Sequence, residues 1–175
     1  MFVTSNFSSD IVVFMIIFIS GSVNAGKSTT SKLIADKLGA EWLDVDEVAH
    51  ALPNFDLNKD IPRAINLAIE KMNELTKNNK TVVANYVLRR EDYEQLRSGL
   101  KYSEQYYFTL APRLEIARSD RGRGLNDWEF ERIKHHYDTG IARPKFGEII
   151  DTSEMTIEQA ADEIIGRVQR LRGKV

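Results

Sequence analysis

Residues 19–29 read Ile-Ser-Gly-Ser-Val-Asn-Ala-Gly-Lys-Ser-Thr, and residues 21–28 of this stretch fit the pattern G-x-x-x-x-G-K-[ST]. The segment before it, Ile11 to Ile19, is apolar, and the segment after it, Lys27 to Leu38, is compatible with a helix. A strand, a glycine-containing loop and a helix in this order form the setting in which the pattern binds phosphate groups. The stretch therefore predicts a site for the phosphates of a nucleotide.

Each position of the motif has a physical role. Gly21 and Gly26 let the backbone turn sharply and approach an anion without a Cβ in the way. Lys27 is predicted to reach the β- and γ-phosphates, and the hydroxyl of Ser28 is predicted to bind Mg²⁺. The predicted ligands are ATP and Mg²⁺, held by the whole loop: Gly21, Ser22, Val23, Asn24, Ala25, Gly26, Lys27, Ser28 and Thr29.

Length and composition limit the classes of protein that the chain can represent. Its 175 residues suit one domain with a buried core, here 1–175, and are too few for two ordinary domains. A net charge of −2 gives no general attraction to nucleic acid or to an anionic membrane, so we expect a small-molecule partner. The chain has no cysteine, which is compatible with the reducing cytoplasm and excludes a disulfide framework.

The first residues call for a separate interpretation. No Lys or Arg precedes the apolar segment, and cleavage after it would destroy the phosphate loop, so a signal peptide is not predicted. Nine apolar residues are also too few to cross a bilayer, which needs about 20. Residues 1–10 are expected to be a frayed extension or the result of an upstream start codon, and their deletion is expected to leave activity intact.

Strand and helix patterns alternate along the rest of the chain. Strands are predicted at 11–19, 41–46, 81–87, 105–110 and 147–151, and helices at 27–38, 62–76, 89–100 and 156–171. This alternation predicts an α/β fold with a mainly parallel five-stranded sheet and helices on both faces. Ligands of such sheets bind at the carboxyl ends of the strands.

Two carboxylates, Asp44 and Asp46, stand at the end of the second predicted strand. Strand alternation would point both to the same side. Asp46 is the candidate base that orients an acceptor hydroxyl and accepts its proton, as an Asp does in some kinases. The alternative for Asp46 is an N-cap of a helix over 47–52. Asp44 is a candidate to hold a substrate hydroxyl or a water bound to Mg²⁺, and the alternative is a solvated side chain.

Arginines cluster in a charged helical segment, 113–140, that Gly122 and Gly124 interrupt. Guanidinium groups beside a glycine hinge are what a lid over a polyphosphate requires, because they stabilise charge on the transferred phosphoryl group. A charged, solvated helix face is the alternative. The candidates are Arg121 and Arg123 for catalysis and Arg118 for nucleotide binding.

Asn85 ends the third predicted strand, at a position where many P-loop proteins carry an Asp for magnesium. An amide has no such charge, so Asn85 is a candidate to bind substrate or a metal-bound water, or is a turn residue. His135 and His136 have no partner at metal-ligand spacing and are predicted to be surface residues.

These residues together give the chain a resemblance to the small-molecule kinases of the P-loop fold, most closely to the chloramphenicol phosphotransferase-like group. The segments that carry it are the loop at 21–28, Asp-Val-Asp-Glu-Val-Ala-His-Ala-Leu-Pro at 44–53, Leu-Ala-Pro-Arg-Leu-Glu at 110–115 and Ile-Asp-Thr-Ser at 150–153. The resemblance covers roughly residues 15–170. It implies a three-layer P-loop NTPase sandwich, a base at Asp46 and a lid that the segment at 110–115 enters.

The sequence departs from related kinases at two points. The chloramphenicol phosphotransferase-like group often has acidic residues after the third strand, where this chain has Asn85 and Tyr86. Shikimate kinases share the D-x-D placement, but their triple glycine and substrate-binding arginine pattern are missing, so shikimate is not the expected acceptor. Gluconate kinase-like and polynucleotide kinase-like interpretations also fit, the latter through Leu-Arg-Arg-Glu-Asp at 88–92.

The function expected from the sequence is therefore an ATP- and Mg²⁺-dependent phosphotransferase that acts on a hydroxyl of a small metabolite or antibiotic. One alternative is a nucleoside or nucleotide kinase, which a base-stacking pocket at 53–62 would favour. The other is a non-catalytic nucleotide-binding module. A GTPase switch would need N-K-x-D and D-x-x-G motifs, and neither is present.

Overall fold

The computed structural model describes residues 14–57, 59–101, 103–120, 122 and 124–173. Its strands are β1 (Met15–Gly21), β2 (Glu41–Asp44), β3 (Val82–Asn85), β4 (Glu104–Leu110) and β5 (Glu148–Ile150). Its helices are α1 (Lys27–Leu38), α2 (Val45–His50), α3 (Ile61–Lys77), α4 (Arg90–Gly99), α5 (Leu114–Arg118), α6 (Asp127–Asp138) and α7 (Ile157–Arg172).

The five strands form one parallel sheet in the order β2-β3-β1-β4-β5. The predicted mainly parallel five-stranded sheet is therefore confirmed. In this order β1 lies between β3 and β4, and Asn85 of β3 is paired with both Asp44 of β2 and Ile19 of β1. The carboxyl ends of β1, β2 and β3 thus meet at one edge, which is where parallel sheets bind ligands.

Strand β1 is buried on both faces, and its side chains alternate between two cores. Ile16 and Phe18 pack with residues of α2, α3 and α4, while Ile17 and Ile19 pack with residues of α1 and α7. All four are fully buried, and each such side chain stabilises the fold by about 1.5–3 kcal/mol. The helices lie on both faces of the sheet, which confirms the predicted three-layer arrangement.

Several element boundaries agree with the sequence predictions. Helix α1 has the predicted bounds, and Gly39 closes it in a left-handed conformation. Helix α7 begins with the predicted capping box, because the Thr156 hydroxyl accepts the Gln159 N–H and the Gln159 side chain accepts the Thr156 N–H. Strand β1 runs to Gly21, two residues beyond the predicted end at 19. The predictions for residues 1–10 and 11–13 lie outside the described residues.

The segment at 41–46 differs from its prediction. Strand β2 ends at Asp44, and Asp46 lies in the first turn of α2 instead of at the end of a strand. The Asp44 carboxylate accepts the backbone N–H of Asp46 at 2.8 Å, which makes Asp44 the N-cap of α2. The N-cap alternative for Asp46 is therefore wrong, and strand alternation does not relate the two carboxylates.

The charged segment after β4 forms two helices, α5 and α6, and the described residues between them, 119–120, 122 and 124–126, belong to neither helix. The Asp120 carboxylate accepts the backbone N–H groups of Gly122 at 2.9 Å and Gly124 at 3.2 Å. The lid candidates Arg121 and Arg123 lie outside the described residues. Among the residues that are described, no helix has the length and apolar character needed to cross a membrane.

Candidate active site

The phosphate loop connects the end of β1 to the start of α1. No side chain of the described residues caps α1, and no acidic residue lies in its first turn. The first N–H groups of any α-helix have no intrahelical partner, so without a side-chain cap they can donate to a ligand. The helix dipole also favours an anion at this end. Asn24 and Gly26 have positive φ angles of 59° and 88°, as expected of a loop whose N–H groups converge. This loop geometry fits a bound phosphate.

Gly21 is required by the packing of the loop against the sheet. Its φ is 147°, and a Cβ added to it would lie 2.6 Å from the Leu110 carbonyl oxygen of β4. Any larger residue would push the loop away from the strand, so the motif glycine is fixed by a neighbouring strand as well as by the turn. The sequence pattern identifies the position, and the tertiary structure gives the reason.

Lys27 and Ser28, the two functional side chains of the motif, are placed for nucleotide binding. The Lys27 ammonium donates to the Ser22 carbonyl oxygen at 2.9 Å, so it lies over the loop and within reach of a phosphate bound there. Ser28 is exposed, and its hydroxyl donates to Asp44 Oδ2 at 3.3 Å. A hydroxyl and a carboxylate side by side are oxygen ligands of the type that Mg²⁺ prefers. The two side chains therefore fit a magnesium site.

Asn85 contacts Ser28 and Asp44 and is not among the residues that line the cavity described below. It is fully buried, and its amide nitrogen donates to Asp44 Oδ2 at 2.9 Å and lies 3.4 Å from Ser28 Oγ. Its amide oxygen accepts from the Ser31 hydroxyl at 2.7 Å and from Trp42 Nε1 at 3.1 Å. Because the indole N–H can only donate, the atom that it meets is the oxygen, and the amide orientation is determined. Asn85 therefore orients Asp44 and Ser28.

Asp46 faces a cavity of about 550 Å³ that opens from the phosphate loop. Asp46 keeps access to solvent in the cavity, but partial burial by the cavity walls, and then the negative charge of Asp44, raise the pKa of its carboxyl, whereas the positive charges of Lys27 and His50 oppose this shift. A carboxylate with a raised pKa is a better proton acceptor than a fully hydrated one. The predicted base is thus in the same cavity as the lysine of the motif, as a phosphoryl-transfer site requires.

The cavity also contains residues that are far from the phosphate loop in the sequence. Its walls come from the phosphate loop, α2, the start of α3, the β3–α4 connection and α6. A neighbouring cavity of about 590 Å³ contains no residue of the phosphate loop, so it is not the site of phosphoryl transfer. The residues that line the 550 Å³ cavity are Val23, Asn24, Lys27, Ser28, Asp46, His50, Leu57, Ile61, Tyr86, Val87, Arg89, Asp92, Trp128, Glu129, Arg132, His135, His136 and Ile141.

His136 corrects the prediction that both histidines of α6 are surface residues. It is only 1 % exposed, and its Nδ1 lies 3.1 Å from the Ser22 hydroxyl of the phosphate loop. Burial, followed by the positive charges of Arg132, Lys27 and His135, lowers the pKa of His136 to about 4. The ring is therefore neutral at neutral pH. His135 is exposed, as predicted.

The phosphate loop is also attached to the base of the lid segment. The Asn24 amide donates to the backbone carbonyl oxygens of Ala117 at 2.8 Å and Ser119 at 3.1 Å, at the end of α5. Arg118 is exposed at the same helix end, beside Lys134, and is not among the residues that line the cavity. Its role in nucleotide binding stays a prediction.

The sequence analysis missed most of the far wall of the cavity. Tyr86 and Arg89 follow β3, and their position at the carboxyl end of a central strand was a usable signal. The structure adds that the buried Asp92 carboxylate holds the Arg89 guanidinium through contacts of 3.0 and 3.1 Å. Trp128 and Arg132 lie on α6, and no local pattern indicates which face of that helix meets the cavity.

Comparison with known proteins supports the assignment of the fold and its chemistry. No protein-family model matches the chain. Over 175 aligned residues the chain is 26 % identical to a shikimate kinase of Thermodesulfovibrio yellowstonii, and the alignment covers 89 % of this chain and 95 % of that one. The chain is a small-molecule P-loop kinase with the shikimate and gluconate kinase-like fold.

Solved structures agree on the fold of this kinase. The APS kinase of Mycobacterium tuberculosis, solved with AMPPNP and APS, superposes with a TM-score of 0.69 at 16 % identity, covering 90 % of this chain and 98 % of that one. The tunicamycin resistance protein of Deinococcus radiodurans superposes with a TM-score of 0.64 at 21 % identity, covering 89 % and 95 %. Because these names refer to different small molecules, the fold does not identify the acceptor of this kinase.

Proposed function

We propose that the kinase transfers the γ-phosphoryl group of ATP, with Mg²⁺, to a hydroxyl of a small molecule bound in the 550 Å³ cavity. The observation that carries this proposal is that Asp46 and the Lys27 of the motif line the same cavity, at the carboxyl edge of the sheet. A proton acceptor and a phosphate-binding cation are thereby combined in one space.

The chain's own residues supply binding and charge stabilisation. The N–H groups of the phosphate loop and the Lys27 ammonium would hold the β- and γ-phosphates. The Ser28 hydroxyl and the Asp44 carboxylate would hold Mg²⁺, and Asn85 fixes both oxygens in place. Bound Mg²⁺ would neutralise charge on the phosphate oxygens. When the phosphates bind, the Lys27 ammonium would give up its hydrogen bond to the Ser22 carbonyl oxygen and bind the phosphates instead.

The proton, the bond formed and the bond broken in the transfer can all be accounted for with ATP, the acceptor and Asp46. The acceptor hydroxyl gives its proton to the Asp46 carboxylate as its oxygen forms a bond to the γ-phosphorus. The bond between that phosphorus and the β–γ bridging oxygen breaks, and its electron pair leaves with ADP. Protein atoms thus position the reactants and neutralise charge, which is the main contribution of a protein to phosphoryl transfer.

Two variants and one matched control test this assignment in an ADP-release screen of hydroxylated acceptors. Lys27→Ala is expected to abolish turnover. Asp46→Asn is expected to bind nucleotide normally and to lose at least about a hundredfold in kcat, the range of general-base contributions. Glu47→Gln removes the neighbouring exposed carboxylate of α2 and is expected to retain activity. Normal phosphorylation by Asp46→Asn would show that another group is the base.

The pH profile gives a second test of the Asp46 assignment. Because burial and Asp44 raise the pKa of Asp46, the base is protonated at a higher pH than an ordinary aspartate. The acidic limb of the kcat/KM profile, which reports the free enzyme, is expected to lie above the usual aspartate range near 4, and to be absent from the residual activity of Asp46→Asn. A wild-type limb at or below pH 4 would contradict the assignment.

A nucleoside or nucleotide kinase remains the second candidate because one observation favours it. Trp128 lines the cavity and is 58 % exposed, so its indole can stack on a planar base. The residues that line the cavity from the described part of 53–62 are the aliphatic Leu57 and Ile61, which do not form the base-stacking pocket expected there. Turnover with nucleosides or nucleotides in the same screen, lost in Trp128→Ala, would favour this candidate.

A further inference from the structure

The phosphate loop contains an asparagine, Asn24, at one of the four positions that the motif leaves open. Its φ is 59°, in the left-handed region that residues other than glycine and asparagine rarely adopt. The residue is only 9 % exposed, so its side chain is directed into the protein and not into solvent. Asn24 therefore has contacts that the turn by itself does not require.

The Asn24 amide nitrogen donates to two backbone carbonyl oxygens, those of Ala117 at 2.8 Å and Ser119 at 3.1 Å. A carbonyl oxygen can only accept, so the amide atom that faces both of them is the nitrogen, and the orientation of the amide is determined. The nitrogen carries two hydrogens, and each carbonyl takes one of them. The phosphate loop is thus joined to residues that lie 93 and 95 positions further along the chain.

Both carbonyl groups lie at the end of α5, a helix of five residues. The last carbonyl groups of a helix have no intrahelical donor, and isolated helices shorter than about 12 residues are marginal in water. Asn24 supplies donors to this helix end. The position of α5 therefore depends on its contact with the phosphate loop.

Arg118 lies between the two residues whose carbonyl groups Asn24 binds. Its side chain is exposed, and no carboxylate among the described residues forms an ion pair with it. Hydrogen bonding to Asp138 raises the pKa of Lys134, and the positive charge of Arg118 opposes that shift, so the two cations are close to each other. An exposed guanidinium beside a second cation is suited to bind an anionic ligand.

We propose that Asn24 is a positioning residue for nucleotide binding, because it holds the peptide groups on both sides of Arg118 and so fixes this guanidinium beside the phosphate loop, where it binds the nucleotide. The proposal rests on the proposed function, since it concerns the nucleotide site of the same kinase. The Asn24 amide acts through Arg118, because protein carbonyl groups already use both of its donors. A guanidinium on a fixed backbone loses less entropy when it binds a ligand.

Removal of the amide is the first test. Asn24→Gly leaves a residue that adopts a φ of 59° without strain, and it is expected to weaken the binding of ADP in the presence of Mg²⁺ by about 3–10-fold, the effect of losing one neutral hydrogen bond. Asn79→Gly is the matched control, because Asn79 is exposed and has a φ of 63° in the turn after α3. It is expected to bind ADP like wild type. Calorimetric titration measures both, and an unchanged affinity of Asn24→Gly would overturn the proposal.

A double-mutant cycle identifies the residue through which Asn24 acts. Arg118→Gln is expected to weaken ADP binding by about tenfold or more, the effect of losing a hydrogen bond from a charged group. The double variant with Asn24→Gly and Arg118→Gln is expected to bind ADP within twofold of Arg118→Gln alone, because no guanidinium is left to position. Losses that multiply would show that Asn24 acts independently of Arg118 and would overturn the proposal.

Two controls keep this result interpretable. Arg170→Gln removes an exposed arginine of α7 and is expected to bind ADP like wild type. Denaturant unfolding of each variant without ADP shows whether a loss of affinity comes from a loss of fold. If Asn24→Gly does not fold, Asn24→Ser, which also removes both amide donors, replaces it in the cycle and is judged by the same twofold criterion.

ADP binding also separates this proposal from the proposed function. The cycle needs no acceptor, so it gives a result even if the screen finds no compound that is phosphorylated. Normal phosphorylation by Asp46→Asn would contradict the proposed base and leave the coupling between Asn24 and Arg118 intact. Wild-type ADP affinity in Arg118→Gln would overturn the role of Asn24 and leave the proposed transfer intact.

Discussion

The phosphate loop and the acceptor cavity lie side by side but are built in opposite ways. The loop is eight consecutive residues, 21–28, which run from the last residue of β1 into the first turn of α1, and most of its geometry follows from local turn chemistry. The far wall of the cavity combines Tyr86, Arg89 and Arg132 from segments separated by more than forty residues. Nucleotide binding is therefore expected to be vulnerable to single backbone changes, and acceptor binding to changes in the packing of α6.

The largest effect is expected at the loop. Gly21→Ala places a Cβ 2.6 Å from the Leu110 carbonyl oxygen at a φ of 147°, so it is expected to destabilise the fold by about 2–3 kcal/mol and to abolish nucleotide binding. Gly39→Ala is the control, because Gly39 also has a positive φ but no atom lies within 4 Å of an added Cβ. It should cost only about 1–2 kcal/mol. Denaturant unfolding of both variants measures the difference, and equal losses would contradict the steric argument.

A smaller effect is expected at Asn85, which lies beside the end of the phosphate loop. Asn85→Leu removes the amide that holds Asp44 and Ser28, so the Mg²⁺ concentration needed for half-maximal activity is expected to rise about 10–100-fold, the range for residues that orient metal ligands. A Mg²⁺ titration of activity measures this, and Trp42 fluorescence reports the same network independently, because Trp42 donates to Asn85. Asn73→Leu, on α3, is the control. An unchanged Mg²⁺ requirement would contradict the positioning role.

The smallest effect is expected at the contact between α6 and the loop. His136→Phe removes the hydrogen bond to Ser22 while filling the buried space, and should weaken nucleotide binding by about 3–10-fold, the effect of one neutral hydrogen bond. Calorimetric titration with ADP measures the change. His135→Phe alters the exposed neighbour and is expected to bind ADP like wild type. Wild-type affinity in His136→Phe would mean that α6 does not support the loop.

His136 also predicts a pH dependence of stability. Its pKa is about 4 in the folded state and near 6.5 when unfolded, so between these values the unfolded chain binds more protons. The contribution of the neutral ring is thus present above pH 6.5 and is lost as the pH falls toward 4. Unfolding free energies of His136→Phe are expected to depend less steeply on pH over this window than those of wild type, and parallel slopes would contradict the prediction.

Much of the fold could be predicted because its signals are local. The alternation of buried strands and amphipathic helices is written in consecutive residues, and α1, β4 and α7 appear within one or two residues of their predicted bounds. The error at Asp44 and Asp46 has a local cause as well. A carboxylate can end a strand by capping the next helix, and the pattern alone did not show that Asp44, not Asp46, is the residue that does so.

The candidate site was predictable on the nucleotide side and, in the rest of the cavity, only at Asp46. Lys27 and Ser28 are identified by their spacing in the motif. For Asn85 the sequence showed only that an amide stands where many P-loop proteins carry a charged Asp. Its role depends on the pairing of β2 with β3, which brings Asp44 beside it. His136 carried no sequence signal, because its burial depends on where α6 packs.

By itself the sequence determined the phosphate loop, the parallel α/β architecture and the pair of carboxylates, since backbone turns and side-chain periodicity act over a few residues. Only the tertiary structure decided that Asp44 caps α2, why Gly21 admits no side chain, and which residues of the β3–α4 connection and α6 line the same cavity as Asp46. Those contacts join residues far apart in the chain, and their geometry is set by the packing of helices on the sheet.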